Sequence, residues 1–351
     1  MRYFIITFGC QTNKSDSERI ATVLENSGYQ PASKIDEADL IVVNMCSVRQ
    51  SAVDRIFGLS QKFAKLKTLN PKLKTILTGC ITKSDKQKFE NKFNQVLKFK
   101  DLLKEQSKYQ DKSIVYVPIS NGCNNFCTYC VVPFTRGGLV CRDHREILKE
   151  VKKAVQKGLD PIRNAISNGA REIWLLGQNV NDYTSPTDSS IDFSELLRMM
   201  NDIPGDFLIR FVSPNPKNFS DKLVETMAEA KKIAKYLHLP VQSGDDEILK
   251  KMNRSYTVKQ YKNLVKKIRK KIPDINLSTD VIVGFPGETK KQFQNTVKLF
   301  KEIKFDMAYI AKYSPRPGTA AFKLKDNVPW GEKKKREKIL REILKEHDEK
   351  Q

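Results

Sequence analysis

Three cysteines stand together in residues 121–142, a stretch rich in glycine, asparagine and aromatics. They are Cys123, Cys127 and Cys130, with three residues between the first two and two between the last. Three thiolates can hold three irons of a cubane iron–sulfur cluster and leave the fourth iron without a protein ligand. An open coordination position is what separates catalytic metal sites from closed structural ones. The same spacing would serve a zinc site with Cys141 or His144 as fourth ligand, a disulfide, or three ordinary buried thiols, and spacing alone leaves these open. The chain carries seven cysteines, an odd number, and no secretory signal, which disfavours disulfides and favours metal or catalysis.

Three of the other cysteines share one local context. Residues 2–8 alternate β-branched and aromatic types and read as a strand, closed by Gly9-Cys10. Residues 40–43 are wholly apolar, as in a strand buried on both faces, and Asn44-Met-Cys46 follows at once. Residues 75–78 form a third strand before Gly79-Cys80. Ser15-x-x-Glu18 and Ser47-x-x-Gln50 are capping-box patterns opening helices that run to Gly28 and to about Leu66. Strands alternating with helices imply a parallel sheet, whose ligands bind outside the carboxyl ends of the strands. Cys10, Cys46 and Cys80 are therefore expected to converge at one sheet edge as a second open three-thiolate site, the alternative being three small buried residues that each end a strand. Residues 87–110 are lysine-rich and read as helix, with a linker over 109–113.

A second series of strands positions the first triad. Residues 115–119 precede the three-cysteine loop, and 172–176 precede Gly177-Gln-Asn-Val-Asn181. Residues 207–212 carry Arg210, and 236–241 carry His238 and lead to Gln242-Ser-Gly244. Residues 277–283 lead to Gly284-Phe-Pro-Gly-Glu-Thr289, and 307–313 to Ser314-Pro-Arg-Pro-Gly318. Helical patterns lie between, for example over 220–232 and 258–271. Six strand–helix units predict an incomplete (β/α) barrel with polar and glycine-rich residues at its catalytic face. Residues 330–351 read as a last helix whose stripe of Ile339, Leu340, Ile343 and Leu344 packs on the barrel.

At 351 residues the chain has room for more than one domain. No run of about 18 apolar residues offers a membrane span, so the reading is a cytoplasmic protein. The net charge of +22 and pI near 9.6 point to a polyanionic partner, nucleic acid first. The most lopsided stretch, 62–104, holds twelve lysines against Asp85, Glu90 and Asp101.

Cys123-Asn-Asn-Phe-Cys127-Thr-Tyr-Cys130 resembles the radical S-adenosylmethionine (SAM) signature. Seven further stretches extend the likeness: Gly9-Cys10-Gln-Thr-Asn13, Asn44-Met-Cys46-Ser-Val-Arg49, Thr78-Gly-Cys80, Leu175-Leu-Gly-Gln-Asn-Val-Asn181, His238-Leu-Pro-Val-Gln-Ser-Gly244, Met252-Asn-Arg-Ser-Tyr256 and Ile282-Val-Gly-Phe-Pro-Gly-Glu-Thr289. Over about residues 1–345 the chain resembles the methylthiotransferases. Gly-Cys-Gln-x-Asn at Cys10 and Cys-Val-Val-Pro-Phe-Thr-Arg-Gly at Cys130 are most similar to the MiaB-type tRNA branch. Ribosomal-protein methylthiotransferases typically show Gly-Cys-Pro-Lys-Asn at the first cysteine, and the threonylcarbamoyl-adenosine enzymes Gly-Cys-Lys-x-Asn.

The resemblance implies an N-terminal parallel-sheet α/β domain (1–108), a partial (β/α)6 radical SAM barrel (109–325) and a C-terminal helix (326–351). The C-terminal TRAM β-barrel of the branch is expected to be absent. It implies a [4Fe-4S] cluster on Cys123, Cys127 and Cys130, whose open iron SAM chelates, and an auxiliary [4Fe-4S] cluster on Cys10, Cys46 and Cys80. Reductive SAM cleavage would yield a 5′-deoxyadenosyl radical that activates carbon 2 of an isopentenyl-adenosine beside the anticodon. The auxiliary cluster supplies sulfur, a second SAM the methyl group, and no side chain acts as acid or base. Gly177, Gln178, Asn179, Arg210, His238, Gln242, Gly284 and Gly287 would line the SAM pocket, and Arg136 would bind SAM carboxylate or RNA phosphate. Implied partners are a tRNA anticodon stem-loop, an external electron donor and a sulfur source, with the enzyme a monomer. Alternative readings are action on threonylcarbamoyl-adenosine tRNA or a ribosomal protein, or an iron–sulfur RNA-binding protein without turnover. The chain departs from the family pattern at Gly138-Leu139, where Arg-Glu is usual, at Cys141 (usually Ser), at Ser213-Pro-Asn-Pro216 (usually Thr-Ser-His-Pro) and in extra residues over 160–168.

Overall fold

β1 (Arg2–Thr7), α1 (Gln11–Asn26), β2 (Gln30–Pro31), β3 (Leu40–Cys46), α2 (Gln50–Leu69), β4 (Lys74–Cys80), α3 (Lys83–Phe89) and β5 (Gln95–Val96) build the first sheet and its cover. The structure, a computed structural model, describes residues 1–48, 50–98, 113–156 and 170–348. All pairings are parallel, in the order β2-β1-β3-β4-β5. The apolar β3 takes the centre, buried along its length except at Cys46, as a strand covered on both faces must be. β3 and β4 run further than the apolar runs 40–43 and 75–78 suggest. Cys46 and Cys80 are therefore their last residues, and they face each other in register.

The expected helix over 87–110 is corrected for the part described. α3 ends at Phe89, and the chain turns so that Phe93 packs edge-on against both Phe63 and Phe89. Asn94 Oδ1 then accepts from Thr75 N at 2.9 Å and Thr75 Oγ1 at 3.0 Å, which docks β5 beside β4. Core aromatics and an edge clamp outweigh the helical propensity of the lysines. The remainder of that stretch, with the linker up to residue 112 and the extra residues 160–168, lies outside the described residues.

The second half comprises β6 (Ile114–Pro118), β7 (Ser120–Asn121), α4 (Val132–Thr135), β8 (Val140–Cys141), α5 (His144–Gln156), β9 (Glu172–Leu176), α6 (Phe193–Asn201), β10 (Leu208–Phe211), α7 (Asp221–Glu229), β11 (Tyr236–His238), α8 (Asp246–Lys251), α9 (Val258–Lys271), β12 (Asn276–Val283), α10 (Lys290–Ile303), β13 (Met307–Lys312) and α11 (Trp330–Asp348). β10-β9-β6 and β11-β12-β13 are parallel sheets. A bridge from Ile209 to Ile233 joins them, with Ile209 N donating to Lys232 O at 2.7 Å and Ala234 N to Ile209 O at 3.0 Å. Six parallel strands thus form one open half-barrel, as expected. Strand alternation sorts its faces. Val117, Leu175 and Ile209 meet the helices in the core. Tyr116, Trp174, Arg210, His238, Asp280 and Tyr309, none of them fully buried, occupy the alternate positions, which face the lumen.

Buried ion pairs join the two halves. Glu150 on α5 lies 3.1 Å from Arg19 of α1 and 2.7 Å from Arg142. Arg316, after β13, lies 2.7 Å from Asp85 of α3, both nearly fully buried. Leu340 and Ile343 of α11 are buried in the barrel core, with Ile339 and Leu344 packed beside them, so the stripe on the last helix does what its spacing predicts. Among the described residues no helix is long and apolar enough to cross a membrane.

Candidate metal centres

The strand ends assemble the first thiol set. Cys46 and Cys80 are register partners on β3 and β4. Cys10 follows β1 as the N-cap residue of α1. Its neighbour Gly9 is so close to Cys46 that an added Cβ would lie 3.0 Å from Cys46 Cβ. Gly79 has φ +111, and a Cβ there would reach 2.2 Å from Met45 O, so the close approach of β4 to β3 just before the cysteines requires glycine. The Cys46 thiol donates toward Cys80, and this bond, with the guanidinium of Arg136, draws the Cys80 thiol down against the effect of its burial. The same bond, and then burial, push the Cys46 thiol up.

Arg136 enters this set from the other half of the molecule. It caps the C-terminus of α4, six residues beyond Cys130. Its Nε donates to Cys80 Sγ at 2.9 Å, Nη1 to Asn121 Oδ1 at 3.0 Å and Nη2 to Asp16 Oδ2 at 2.5 Å. Every guanidinium nitrogen makes a bond inside the protein, to partners other than the SAM carboxylate or RNA phosphate expected of it.

The second set, Cys123, Cys127 and Cys130, sits on a loop held from two sides. Gln178 Oε1 accepts from Gly122 N at 2.6 Å. On the other side, Thr128 N donates to Met252 O at 3.1 Å, and Asn253 Nδ2 donates to Asn125 O at 3.2 Å and Phe126 O at 3.1 Å. Arg254 Nη1 donates to Cys127 Sγ at 3.4 Å, and Asn125 Nδ2 to Cys123 Sγ at 3.4 Å. Burial and then the charges of Cys127 and Cys123 raise the Cys130 thiol to about 12, against an opposing hydrogen bond from the Val132 backbone. The sequence of Met252-Asn-Arg-Ser-Tyr256 does not itself disclose a role. It cradles the three-cysteine loop, and its only local signal is a polar Asn-Arg pair in a turn after a barrel strand–helix unit.

The expected SAM residues divide by location. Gln242, at φ +69, lines a cavity of about 560 Å3 at the barrel mouth together with Tyr129, Asp280, Tyr309, Arg316 and Trp330. His238 is satisfied on both ring nitrogens, by Ser278 Oγ at 2.9 Å and Asp280 Oδ2 at 3.1 Å. Arg210 lies between the rings of Trp174 and Tyr236. Its Nε is 3.2 Å from Glu172 Oε2, without the alignment of a hydrogen bond. Gln178 holds the three-cysteine loop, Gly177 abuts Ser120, and Asn179 is buried with Oδ1 unpartnered. Gly284 and Gly287 form a turn beneath α11, their N–H groups donating to Glu288 Oε2 at 2.7 Å and Asn327 Oδ1 at 2.8 Å.

The thiols suit iron–sulfur clusters. Five of the six face an N–H donor or a neighbouring thiol: Asn125 on Cys123, Arg254 on Cys127, Val132 on Cys130, Val48 on Cys46, and Arg136 with Cys46 on Cys80. Such donors stabilise thiolate ligands and tune a cluster. All seven cysteines are free. Among the described residues no three His, Cys, Asp or Glu side chains gather closely enough for a single metal ion. The zinc alternative also lacks its fourth ligand. Cys141 packs against the barrel core, where burial raises its thiol, and His144 Nδ1 is 2.8 Å from Ser185 Oγ.

A three-thiol loop at the mouth of a six-strand parallel half-barrel defines the radical SAM class, and residues 117–300 match the model of the Radical SAM superfamily. Residues 2–99 match uncharacterized protein family UPF0004. The tRNA-2-methylthio-N(6)-dimethylallyladenosine synthase of Dictyoglomus thermophilum is 39% identical, covering 95% of this chain and 80% of its own. That of Clostridium novyi is 41% identical, covering 93% and 77%. The chain belongs to this family of radical SAM methylthiotransferases, the MiaB-type branch that its motifs resemble. Membership implies a [4Fe-4S] cluster and SAM. The radical SAM methyltransferase TsrM from Kitasatospora setae shares the fold at a TM-score of 0.63 and 13% identity, covering 91% of this chain and 76% of that one. The radical enzyme OxsB does so at 0.58 and 11%, covering 99% and 56%.

Proposed function

We propose that this protein adds a methylthio group to carbon 2 of isopentenyl-adenosine beside the anticodon of tRNA, using two clusters. Cys123, Cys127 and Cys130 hold one [4Fe-4S] cluster; Cys10, Cys46 and Cys80 hold the other. When bound, the clusters and SAM supply the one-electron chemistry, the sulfur and the methyl group, because an unactivated ring C–H does not yield to side-chain acids and bases. The observation that carries the reading is the approach of the two three-thiol sets, one from each half of the molecule, bridged by Arg136 between Cys80 and the cluster loop.

The residues do the binding and positioning. The turn at Met252 to Arg254 fixes the first thiol loop from one side and Gln178 fixes it from the other. Gln242, Asp280 and Tyr309 line the cavity that would receive SAM and the target base, with His238 and Arg210 in the lumen beside it. We assign Gly177, Asn179, Gly284 and Gly287 to the turns that shape this mouth. Single-stranded RNA loops present splayed bases that stack on aromatic rings. Phe126 and Phe134, on the cluster loop and α4, are more than half exposed and meet edge-on. Phe134 also lines a larger cavity of about 810 Å3 with Lys83, Lys86 and Lys98, which suits the phosphates of an anticodon stem-loop. The division into residues 1–108, 109–325 and 326–351 assigns one cluster to each large unit. An external electron donor and a sulfur source complete the reaction, with the protein acting as a monomer.

The test is incubation of the anaerobically reconstituted protein with SAM, a reductant and isopentenylated tRNA, read by nucleoside mass spectrometry. Conversion to the 2-methylthio nucleoside is expected. Efficient SAM cleavage with unchanged tRNA would contradict the substrate assignment.

A further inference from the structure

Arg136 joins the two halves at the level of their sulfur ligands. It follows Cys130 by six residues on the loop that carries one thiol set, yet its Nε donates to Cys80 Sγ of the other set at 2.9 Å. The side chain is 8% exposed and Asp16, its partner at 2.5 Å, is 9% exposed. Asn121 holds both ends of the residue: Oδ1 accepts from Nη1 at 3.0 Å and Nδ2 donates to the Arg136 carbonyl at 3.3 Å. A planar fork is needed to reach a thiol, an amide and a carboxylate at once, which a lysine ammonium cannot reproduce.

We propose that Arg136 is a positioning residue for the auxiliary cluster: it fixes the Cys80 sulfur, and its charge and N–H raise that cluster's reduction potential. The inference rests on the reading that Cys10, Cys46 and Cys80 hold a cluster. Hydrogen bonds to ligand sulfurs and nearby charge are among the levers that set cluster potentials. A cationic donor stabilises the reduced, more negative cluster. Asp16 opposes it, because its carboxylate neutralises the guanidinium from the far side. The two residues therefore act with opposite signs. Arg254 is the counterpart on the other cluster, its Nη1 on Cys127 Sγ at 3.4 Å.

The experiment uses the full chain carrying Cys123→Ala, Cys127→Ala and Cys130→Ala, anaerobically reconstituted so that only the auxiliary site binds iron. Its midpoint potential is read by EPR-monitored redox titration. Adding Arg136→Gln is expected to shift the potential negative, Asp16→Asn to shift it positive, Arg136→Lys to restore it in part, and Arg254→Gln to leave it unchanged. A merely structural contact would alter iron content without this reversal of sign. If Arg136→Gln fails to bind iron, the positive shift of Asp16→Asn still decides. Unshifted potentials with full iron content would overturn the inference alone. No iron in the triple-cysteine protein would overturn the two-cluster reading, and the inference with it.

Discussion

Gly79 stands one residue before Cys80 at φ +111, where a methyl group would sit 2.2 Å from the Met45 carbonyl. Nothing flexible can yield there, because the obstruction is backbone. Gly79→Ala is expected to part β4 from β3 at the Cys46–Cys80 pair and to cost about 1–3 kcal/mol or more in strain. Bound iron should fall from about eight atoms to about four, while reductive SAM cleavage persists; full iron content would refute this. The six candidate cysteines are legible in the sequence because few residue types bind iron and their spacing or strand-end context is local. Arg136 and Arg254 were not legible in these roles. Arg136 meets Cys80 56 positions away and Arg254 meets Cys127 127 positions away, and no local pattern encodes such an approach.

At the scale of elements, strand-then-glycine punctuation carried most of the information. It located β1, β3, β4 and the six barrel strands but not the two-residue edge strands β2 and β5, and the apolar stripe located α11. It failed over 90–98, where lysine spacing looks helical but Phe93 and Asn94 turn the chain back to pair with β4. It also could not reveal how the halves lock. Glu150 on α5 is 1% exposed between Arg19 and Arg142. A buried ion pair adds little net stability over an apolar substitute, but removing one partner strands the other charge at about 3–5 kcal/mol. Glu150→Ala leaves two arginines facing each other, so a loss of that size is expected in denaturant unfolding. An unchanged midpoint would show that the interface does not depend on this carboxylate. Arg316 and Asp85 form a second such lock, near the loop after β13.

For the whole molecule, a net charge of +22 makes RNA binding electrostatic, and its logarithm should fall linearly with the logarithm of salt. Lys83 and Lys98 are exposed on the rim shared with Phe134. Replacing either with alanine is expected to reduce the salt slope for tRNA by about one, measured by filter binding across a salt series. An unaltered slope would place the RNA elsewhere on the surface. The basic surface was legible from composition alone, but its position beside the two thiol sets was not, because it depends on how the first sheet docks on the barrel. If the two thiol sets divide the labour, Cys46→Ala separates their roles in the tRNA assay. The variant should still form 5′-deoxyadenosine from SAM at the barrel loop, yet yield no 2-methylthio nucleoside. Methylthio product at the wild-type level would contradict the account.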